Sequence, residues 1–488
     1  MDAEQRFTTG KTMTWALLVC AALILFWSPL LFTPFWQDDY MLLYFAREAQ
    51  TAGEPWYSSF NPQELSIFWR PLSEGVYWRL LENHLGADPV TAHRISLGVL
   101  VASAMAVGWL AATVVRLVTP EANAAAGGLL AAFLYGIHGA NFIPAAWATA
   151  IHTPLAVLFS ALALGLWVAN LRPPGGASGP GLLLVPLLFL LALFSKESAL
   201  LTAGLGLLVT LWVWPRYRPT TGGWLIMLFS ALLAIAWLLI RHQVTAPVTG
   251  EYEMTAGTNL LRNGASMLLF LLNVPREALR FVLQEHSLAA ALWGAACLSL
   301  QTLAFWLLLR KGAHRLNRKG VAILTLFFLI ACAPYFALSW NSYAYYITLG
   351  LIVWPIVAAA SDASRKAKVA AVGAALLSSS LALAGSMVLD YPSLLGRAQW
   401  TQIQLPIIEE AFPTPPQRLY VQAENHHKYL GIGPYGLAYV LGMKRPQIIE
   451  LAEGERPPQD SAVLVVSEHG DVRVDQHEAM RMLDAKTP

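Results

Sequence analysis

Residues 13–40 read MTWALLVCAALILFWSPLLFTPFWQDDY, an apolar run that ends at two adjacent carboxylates, Asp38 and Asp39. The run over 13–33 has the length of about 20 residues that a helix needs to cross a bilayer. It is too long for a signal peptide and lacks a small-residue cleavage site, so it predicts a retained transmembrane helix. The sequence therefore predicts a first membrane span that ends at an acidic pair.

The whole chain has the composition of a polytopic membrane protein. Of its 488 residues, 56% are hydrophobic and 13% are charged, whereas a soluble domain carries about 25% charged residues. This composition excludes an ordinary soluble enzyme and a disordered chain, and a net charge of +2 argues against a nucleic-acid binder. Cys20, Cys297 and Cys332 lie in apolar stretches, which favours buried apolar side chains over disulfides or a metal cluster.

Further apolar runs predict an all-α bundle of about eleven transmembrane helices, near 13–33, 95–115, 125–142, 151–170, 181–195, 198–214, 223–240, 287–309, 320–339, 343–360 and 368–389. With the N-terminus in the cytoplasm, the predicted cytoplasmic segments hold 14 Lys or Arg residues against 4 Asp or Glu residues. Short cytoplasmic loops are typically rich in Lys and Arg. We therefore predict a multi-pass protein of the cell (inner) membrane with a cytoplasmic N-terminus and an external, periplasmic C-terminal domain.

The predicted organisation has four parts: residues 1–33 with the first span, an external loop 34–94, a transmembrane bundle 95–389, and an external soluble domain 390–488. The external loop contains two helix-like stretches, near 39–50 and 71–85. The last part is charged, and its runs RLYVQA and AVLVVS alternate with helix-like pieces, which predicts a small α/β domain. The fold class is thus an all-α polytopic membrane protein with a small external α/β C-terminal domain.

One apolar segment, 264–283, is interrupted by polar residues that include Asn273 and Pro275. A full span there would also place the basic loop 310–319 on the wrong side of the membrane. We therefore predict an amphipathic or re-entrant helix pair on the external face.

The acidic pair Asp38-Asp39 is the most informative site of the sequence. One interpretation is helix capping, because Asp near a helix N-terminus accepts backbone N–H groups and suits the helix dipole. The other is catalysis, because carboxylates at membrane depth are costly and usually functional. A carboxylate here can take a proton from an acceptor hydroxyl as a general base. Two acids in tandem favour the second interpretation.

The second site is FSKES (194–198), in which Lys196 and Glu197 stand between two apolar runs with almost no loop. One interpretation is an interfacial ion pair whose side chains both reach the lipid headgroups. The other is a cation that holds a phosphate, with Glu197 orienting it or binding a sugar hydroxyl. The pattern of residues leaves both interpretations open.

Further residues near the predicted external mouth are candidates for substrate binding. Arg70, in FWRPL (68–72), suits a bidentate hold on phosphate, although an external Arg is often only solvated. His138 and His152 flank an external connection and are candidates for donor contacts, but they lack the i,i+4 spacing of a metal pair. Tyr343 and Tyr346, in the run SWNSYAYY, suit sugar stacking or an aromatic belt equally well.

The order of these motifs resembles a known family. After the acidic pair come F-W-R-P-L (68–72), H-R-I-S (93–96), A-F-L-Y-G-I-H-G (132–139), S-K-E-S (195–198) and Y-A-Y-Y-I-T-L-G (343–350). This order resembles the bacterial members of the GT-C membrane glycosyltransferases, near the protein O-mannosyltransferases and the TPR-containing transmembrane O-mannosyltransferases. The resemblance covers roughly residues 13–360, and the acidic pair and S-K-E are its most specific motifs.

The resemblance implies an enzyme that takes a sugar from a polyprenyl-phosphate carrier on the external face and inverts the anomeric carbon. Asp38 matches the family's catalytic Asp, and Asp39 its acidic neighbour. The other residues that match family motifs are Arg70 in R-P-L, His138 in L-H-P, and Lys196 and Glu197 in K-E.

Two motifs depart from the family pattern. Asn341-Ser342 stands where the family commonly has Glu-Arg before the tyrosines, and Ile137-His138-Gly139 stands at the L-H-P element. If the Arg that is missing here contacts the donor phosphate in the family, there are two alternatives. Either Arg70, Arg241 or Lys196 binds the donor phosphate in its place, or the donor differs. No tetratricopeptide array follows the bundle, so a role of that array in acceptor choice does not transfer.

The leading hypothesis is a membrane glycosyltransferase that moves a sugar from a polyprenyl-phosphate-linked donor to an external hydroxyl acceptor. The acceptor hydroxyl can belong to a protein, a glycolipid or a polysaccharide, and no residue pattern requires a cofactor, although two adjacent carboxylates leave a divalent metal possible. The alternative is a transporter or flippase of lipid-linked sugars, which predicts polar residues deep inside several spans. A third reading is a non-catalytic assembly protein whose C-terminal domain binds a partner.

Overall fold

The computed structural model describes residues 3–61, 68–120, 123–177, 179–245, 253–312, 316–339, 343–389, 394–452, 455–459 and 461–476. Asn341-Ser342, the departure from the family pattern, lies outside these residues. Helices dominate the described chain. The α-helices are α1 Ala3–Trp27, α2 Asp38–Thr51, α3 Tyr77–His84, α4 Pro89–Val118, α5 Ala124–Gly136, α6 Phe142–Ala146, α7 His152–Ala169, α8 Leu184–Ser195, α9 Thr202–Val213, α10 Thr221–Val244, α11 Thr258–Leu271, α12 Arg276–Glu285, α13 Leu288–Gly312, α14 Arg318–Phe336, α15 Val353–Ala360, α16 Arg365–Val388, α17 Leu394–Ala411, α18 His426–Tyr429 and α19 Gly433–Leu441.

Within the described residues, seven helical segments are long and apolar enough to cross a bilayer: Lys11–Phe32, Pro89–Val118, Ala148–Ala169, Thr221–Gln243, Leu288–Arg310, Arg318–Phe336 and Arg365–Val388. An eighth is counted if α5 and α6, which are bent by 56° at a short break, form one span. Each of the eight coincides with a predicted span, so the prediction of a polytopic helical membrane protein is confirmed.

The other three predicted spans are apolar helical segments that fall short of the roughly 20 residues a span needs, so the predicted count of eleven full spans is not reached among the described residues; they cover Pro180–Ser195, Glu197–Val213 and Gly350–Ala360. The first two are separated at Lys196, whose backbone is extended (φ −161°, ψ 139°). An extended residue cannot continue the i→i−4 hydrogen bonds of a helix. The S-K-E element therefore interrupts the apolar run and ends the helix Leu184–Ser195.

Helices α4 and α5 pack closely because both carry glycine at their contact. A Cβ atom added to Gly128 would lie 2.7 Å from the carbonyl oxygen of Gly108. Small residues of this kind let helix backbones approach each other within a membrane. The contact belongs to the main hydrophobic core of the bundle, which also contains buried residues of α7 and α15.

The segment 264–283 forms two helices, as predicted. Helix α11 ends at Leu271 and α12 begins at Arg276, and between them Asn273 adopts a positive φ of 63°. The Asn273 side chain donates to the hydroxyl oxygens of Ser378 and Ser379, at 2.9 and 3.1 Å. These bonds satisfy a buried amide and hold the break between the two helices against α16.

The loop after the first span also agrees with the sequence. Helix α2 covers the predicted stretch near 39–50, and a π-helical turn at Pro71–Val76 continues into α3 over the second predicted stretch. Leu43, Trp78 and Ile151 are fully buried in a cluster between α2, α3 and the 3₁₀ turn Ala148–Ile151. This packing fixes the first turn of α2 next to that 3₁₀ turn.

The C-terminal region forms the predicted small α/β unit. Its four strands are β1 Leu419–Ala423, β2 Ile448–Glu450, β3 Ala462–Val466 and β4 Val472–Gln476, in the spatial order β2-β1-β3-β4. Strand β1 pairs in parallel with both β2 and β3, and β4 pairs antiparallel to β3. Their apolar residues form a separate core with α17 and α19, and Tyr44 of α2 is buried in that same core.

Candidate active site

The acidic pair lies in the first turn of α2, where negative charge suits the helix dipole. Neither carboxylate is the N-cap, because Gln37 occupies that position and makes no side-chain capping bond. Asp39 is fully buried, whereas Asp38 is partly exposed. Capping therefore does not explain the pair, and the two carboxylates have different surroundings.

Asp39 connects α2 to the 3₁₀ turn Ala148–Ile151. One carboxylate oxygen accepts hydrogen bonds from the backbone N–H and the hydroxyl of Thr149, at 2.8 and 2.6 Å. The other oxygen accepts from the backbone N–H of Trp36 at 3.2 Å. Burial raises the pKa of Asp39 to about 7, although the bonds from Thr149 and Trp36 lower it. The hydrogen bonds of Asp39 thus fix the first turn of α2, while Asp38 is partly exposed.

A short segment, Thr149–Thr153, links the acidic pair to Lys196. The carbonyl oxygen of Thr149 accepts a 2.7 Å hydrogen bond from Nδ1–H of His152, which leaves Nε2 as the acceptor of the neutral ring. The hydroxyl of Thr153 accepts a 2.8 Å hydrogen bond from Nζ of Lys196. One turn of chain therefore touches Asp39 at one end and Lys196 at the other.

Lys196 is buried within the protein, with 4% of its surface exposed. Its Nζ lies 4.5 Å from the ring centroid of Tyr345 and 5.5 Å from that of Tyr346, distances at which a cation is attracted to an aromatic face. The interpretation as a side chain that reaches the lipid headgroups is therefore wrong. The expected Lys196–Glu197 ion pair is also absent from the described contacts, because successive side chains of an extended chain point to opposite sides.

Glu197 pairs instead with Arg70. The Arg70 guanidinium donates to both carboxylate oxygens of Glu197, at 2.7 and 2.6 Å, and to Glu74 at 2.8 Å. Its side chain is 7% exposed, so the alternative interpretation of a merely solvated Arg is wrong, and the predicted hold of Arg70 on a phosphate stays a prediction. Because two carboxylates surround one cation, Arg70 holds Glu74 and Glu197 together. Lys196 instead donates to a neutral hydroxyl, that of Thr153.

Glu74 is a site residue that the sequence reasoning missed. It lies one turn after Arg70 in the π-helical turn Pro71–Val76. Burial raises the pKa of Glu74 to about 7, with Arg70 opposing the shift and the negative charges of Glu197 and Asp38 adding to it. Glu74 therefore connects the Arg70 cluster electrostatically to the acidic pair. Its spacing of four residues from Arg70, which is typical of an ion pair within a helix, could have identified it from the sequence.

We expect Arg70→Gln to be strongly destabilising, because it leaves Glu74 and Glu197 without their shared buried cation. Breaking a buried pair by removing one partner typically costs about 3–5 kcal/mol. The matched control is Arg79→Gln, which removes a more exposed pair with Glu54 and should cost about 0–1 kcal/mol. Thermal unfolding in detergent measures both effects, and equal shifts for the two variants would contradict this account.

Tyrosines cover the Lys196 side of the site. Tyr335 stacks on Tyr346 with ring centroids 4.2 Å apart, and Tyr343 stacks on Tyr345 at 5.4 Å. The guanidinium of Arg276, at the start of α12, lies 4.2 Å from the ring centroid of Tyr343. The sequence reasoning missed Arg276, which follows the break after Asn273-Val274-Pro275. An arginine thus stands beside the tyrosine run although the run itself lacks the family's Arg.

Arg241 lies at the end of α10 and reaches the site through aromatic side chains. Its guanidinium is 5.9 Å from the ring centroid of Trp237, which stacks on Trp69 at 6.3 Å. Trp69 directly precedes Arg70 in the chain. Packed rings of Trp237 and Trp69 therefore connect Arg241 to the residue before Arg70. The predicted contact of Arg241 with the donor stays a prediction.

His138 has a structural place in the fold. Its Nδ1 accepts a 3.2 Å hydrogen bond from the backbone N–H of Ala140, and its Nε2–H donates to the carbonyl of Leu271 at 3.3 Å. Both bonds hold the bend between α5 and α6 against α11. These contacts do not join His138 to Lys196 or the acidic pair, so its predicted donor contact is not supported by them.

Among the residues that the structure describes, no group of three or more His, Cys, Asp or Glu side chains could hold a metal ion. The described cluster instead combines carboxylates, one buried lysine, one shared arginine and a wall of tyrosines. A partly exposed carboxylate such as that of Asp38 can accept a proton, and a buried cation can stabilise a phosphate that gains charge. The arrangement is thus suited to displacement at a phosphate-bearing carbon.

Comparison with known proteins gives one informative likeness. No protein-family model matches the sequence, and no curated protein matches it. A solved structure does match: ArnT from Cupriavidus metallidurans in the apo state, with a TM-score of 0.53 and 12% sequence identity, over 91% of this chain and 86% of that chain. The likeness covers most of both chains, and the chain therefore shares the overall fold of that structure.

Proposed function

We propose that this protein is an integral-membrane glycosyltransferase that moves a sugar from a polyprenyl-phosphate-linked donor to an external hydroxyl acceptor, with inversion. The observation that carries the proposal is the segment Thr149–Thr153, which binds Asp39 at one end and Lys196 at the other. It brings the acidic pair, which includes the candidate base Asp38, and a candidate phosphate-binding cation into one site. The GT-C fold and the motif order support the same reaction class.

In the proposed reaction, the acceptor oxygen attacks the anomeric carbon from the face opposite the phosphate. The bond between that carbon and the phosphate oxygen breaks, and polyprenyl phosphate leaves with the electron pair. Asp38 takes the proton of the acceptor hydroxyl, which is the work of a general base. Asp39 does not touch the substrate in this scheme; it fixes the first turn of α2 through Thr149 and Trp36.

The leaving phosphate gains negative charge as the bond breaks, and Lys196 is the proposed group that stabilises it. A preorganised cation in a site shielded from water has a much larger effect than one in bulk solvent. Arg70 holds Glu197 and Glu74 in place beside this cation. Tyr343 and Tyr346 are proposed to contact the sugar or the lipid phosphate from the aromatic wall.

This assignment places the site at the external face of the cell membrane. The loop 34–94 and the bundle 95–389 would then both contribute to it, with the N-terminus in the cytoplasm and residues 390–488 outside. The acceptor would approach from the external side, where Asp38 is partly exposed, while the polyprenyl chain remains in the bilayer. Such a site lets the hydrophobic donor and the polar acceptor meet at the membrane surface.

The proposal predicts opposite effects of pH on activity and on stability. Asp39 and Glu74 have raised pKa values of about 7 in the folded protein, so both carry a proton below that pH. Ionisation of Asp39 strengthens its bonds to Thr149 and adds negative charge beside Asp38, which makes Asp38 a stronger base. We expect the transfer rate to rise as pH increases through about 7.

Stability should change in the other direction. Because folding raises the pKa of Asp39 above its ordinary value of 3.8, the folded state binds more protons than the unfolded state between that value and about 7. The melting temperature should therefore fall as pH rises across this window, and Asp39→Asn should reduce the fall. A transfer rate that is independent of pH from about 5 to 9 would contradict the assigned role of the pair.

Reconstituted vesicles test the proposed activity against translocation of the same lipid. The donor is a polyprenyl-phosphate sugar labelled in the sugar, supplied with an extract of external acceptors. A transferase releases polyprenyl phosphate and labels the acceptor fraction, and it requires that acceptor. Movement of intact donor across the bilayer without release of polyprenyl phosphate would contradict the proposal and identify a flippase.

A further inference from the structure

The backbone directly before the acidic pair is held by the C-terminal domain. Gln37 has a positive φ of 52° with ψ −115°, a conformation that is uncommon for a residue other than glycine. Its backbone N–H donates a 2.6 Å hydrogen bond to the carbonyl oxygen of Gly431. The Gln37 side chain also accepts from Arg397 of α17 at 3.4 Å. Two elements of the C-terminal domain thus contact the residue that precedes Asp38.

Backbone strain of this kind persists only where the surrounding structure imposes it. A residue in a sparsely populated φ/ψ region destabilises the fold unless neighbouring groups hold it there. The short hydrogen bond from the Gln37 N–H to the Gly431 carbonyl is well suited to stabilise the turn. The carbonyl accepts an N–H at the start of α2 that has no partner within the helix. The direction in which α2 leaves this turn sets where Asp38 and Asp39 point.

Gly431 can make this approach only because it has no side chain. A Cβ atom at this position would lie 2.5 Å from the hydroxyl oxygen of Thr401 and 3.0 Å from the carbonyl oxygen of Arg397. Its own N–H donates to the carbonyl of Lys428 at 2.8 Å. The loop between α18 and α19 is therefore packed against α17 so that the Gly431 carbonyl faces Gln37.

The same domain covers one whole face of α2. Tyr40 lies against Gly436, where an added Cβ would be 3.3 Å from the Tyr40 Cβ. The hydroxyl of Tyr44 accepts from the backbone N–H of Arg445 at 3.0 Å. Arg47 donates to the carbonyl of Tyr439 at 2.8 Å. These α2 residues are three or four apart and so share one face of the helix.

We propose that the C-terminal domain is a positioning element of the active site, in which Gly431 fixes the strained turn at Gln37 and thereby the orientation of Asp38. Gly431 and Gln37 are positioning residues, because they act through Asp38 and do not touch the substrate. The proposal rests on the proposed function, since it assigns Asp38 the role of base. It gives the C-terminal domain a part in catalysis that does not depend on binding a partner.

The test compares Gly431→Ala with Gly442→Ala in the reconstituted full-length protein. Gly442 is also in the C-terminal domain and has a positive φ of 66°, but an added Cβ there meets nothing within 4 Å. Its substitution should therefore strain the domain without moving the turn at Gln37. We expect Gly431→Ala to lower kcat by about 100-fold with little change in donor KM, because small misplacements of a catalytic group have effects of that size. Gly442→Ala should retain kcat within about threefold.

Gln37 provides the second arm of the test. Gln37→Gly accepts the positive φ without strain and keeps the N–H, so it should retain most of kcat. Gln37→Pro removes the N–H and requires a φ near −65°, so it should lower kcat as far as Gly431→Ala does. Full kcat in both Gly431→Ala and Gln37→Pro would overturn the positioning role.

Hydrogen–deuterium exchange gives a readout that is independent of catalysis. The amides of residues 37–41 should exchange at least tenfold faster in Gly431→Ala than in the wild type, and unchanged exchange would overturn the proposal. If the wild type transfers no sugar, the proposed function fails, yet the exchange measurement still reports whether Gly431 holds the turn. If the wild type transfers sugar and exchange rises without a loss of kcat, only the positioning role fails.

Discussion

Asp38→Asn should lower kcat for sugar transfer by about 10²–10⁴-fold, the range that a general base contributes. The Asn side chain has nearly the same shape as Asp but cannot take a proton from the acceptor hydroxyl. Because Asp38 is partly exposed at the start of α2, the substitution should not unfold the protein. Donor KM should remain close to that of the wild type, since the change affects the transition state more than substrate binding.

Two controls separate base catalysis from helix stabilisation. Asp88 caps α4 in the same loop, where its carboxylate accepts from the backbone N–H of Thr91 at 2.8 Å. Asn caps a helix about as well as Asp, so Asp88→Asn should leave transfer unchanged. Asp39→Asn replaces one of the two carboxylate oxygens, which accept from Thr149 and from Trp36, by an NH2 donor, and it should lower both kcat and the melting temperature. Wild-type kcat in Asp38→Asn would remove Asp38 from the mechanism.

Lys196→Gln should lower kcat by about 10²–10³-fold, which is the effect of removing one strong electrostatic contact to a developing charge. Lys196 is buried beside Thr153 and the ring of Tyr345, and its amine is the proposed partner of the leaving phosphate. Gln can still bond to Thr153, so the local packing is largely retained. The loss should therefore appear in the chemical step, which single-turnover measurements isolate.

Lys196→Arg tests whether any cation suffices. A guanidinium is larger and planar, and the site around Lys196 is closed by Thr153 and two tyrosine rings. We expect less than full recovery of kcat. The control is Lys319→Gln, because Lys319 donates to the carbonyl of Trp214 at an exposed position. Equal kcat in Lys196→Gln and Lys319→Gln would refute the phosphate-binding role.

The sequence predicted the helices well because their signal is local. An apolar run of about 20 residues indicates a membrane helix from its length and composition alone. The runs RLYVQA and AVLVVS likewise indicated strands without any information about the strands that pair with them. The break at Lys196 was also visible as two charges between apolar runs. The two helical segments on either side of it, Pro180–Ser195 and Glu197–Val213, agree with the predicted ranges 181–195 and 198–214 to within one residue at each end.

Partners distant in the chain could not be predicted from one sequence. The adjacency of Lys196 and Glu197 suggested an ion pair, but Glu197 binds Arg70, which is 127 residues earlier. The hydrogen bond between Thr149 and Asp39 joins residues that are 110 positions apart in the chain. Contacts at such separation depend on how helices pack, and no local propensity encodes them.

The contributions of the C-terminal domain were hidden for the same reason. Gln37 reads as an ordinary polar residue after Trp36, and nothing local indicates that Gly431 bonds to it. The two backbone partners of His138 were equally hidden: its place beside an external connection suggested a donor contact, while its ring nitrogens bond to Ala140 and to Leu271 of α11. The donor contact of His138 stays a prediction.

The products of a single turnover test the central claim most directly. Purified protein in vesicles receives a polyprenyl-phosphate sugar of known anomeric configuration and an excess of external acceptor, and the products are analysed by mass spectrometry and NMR. We expect one polyprenyl phosphate for each glycosylated acceptor and inversion at the anomeric carbon. By the time the wild type has completed its turnover, Asp38→Asn should have formed at least about 10²-fold less product. Retention of the anomeric configuration, or wild-type yield from Asp38→Asn, would contradict the central claim.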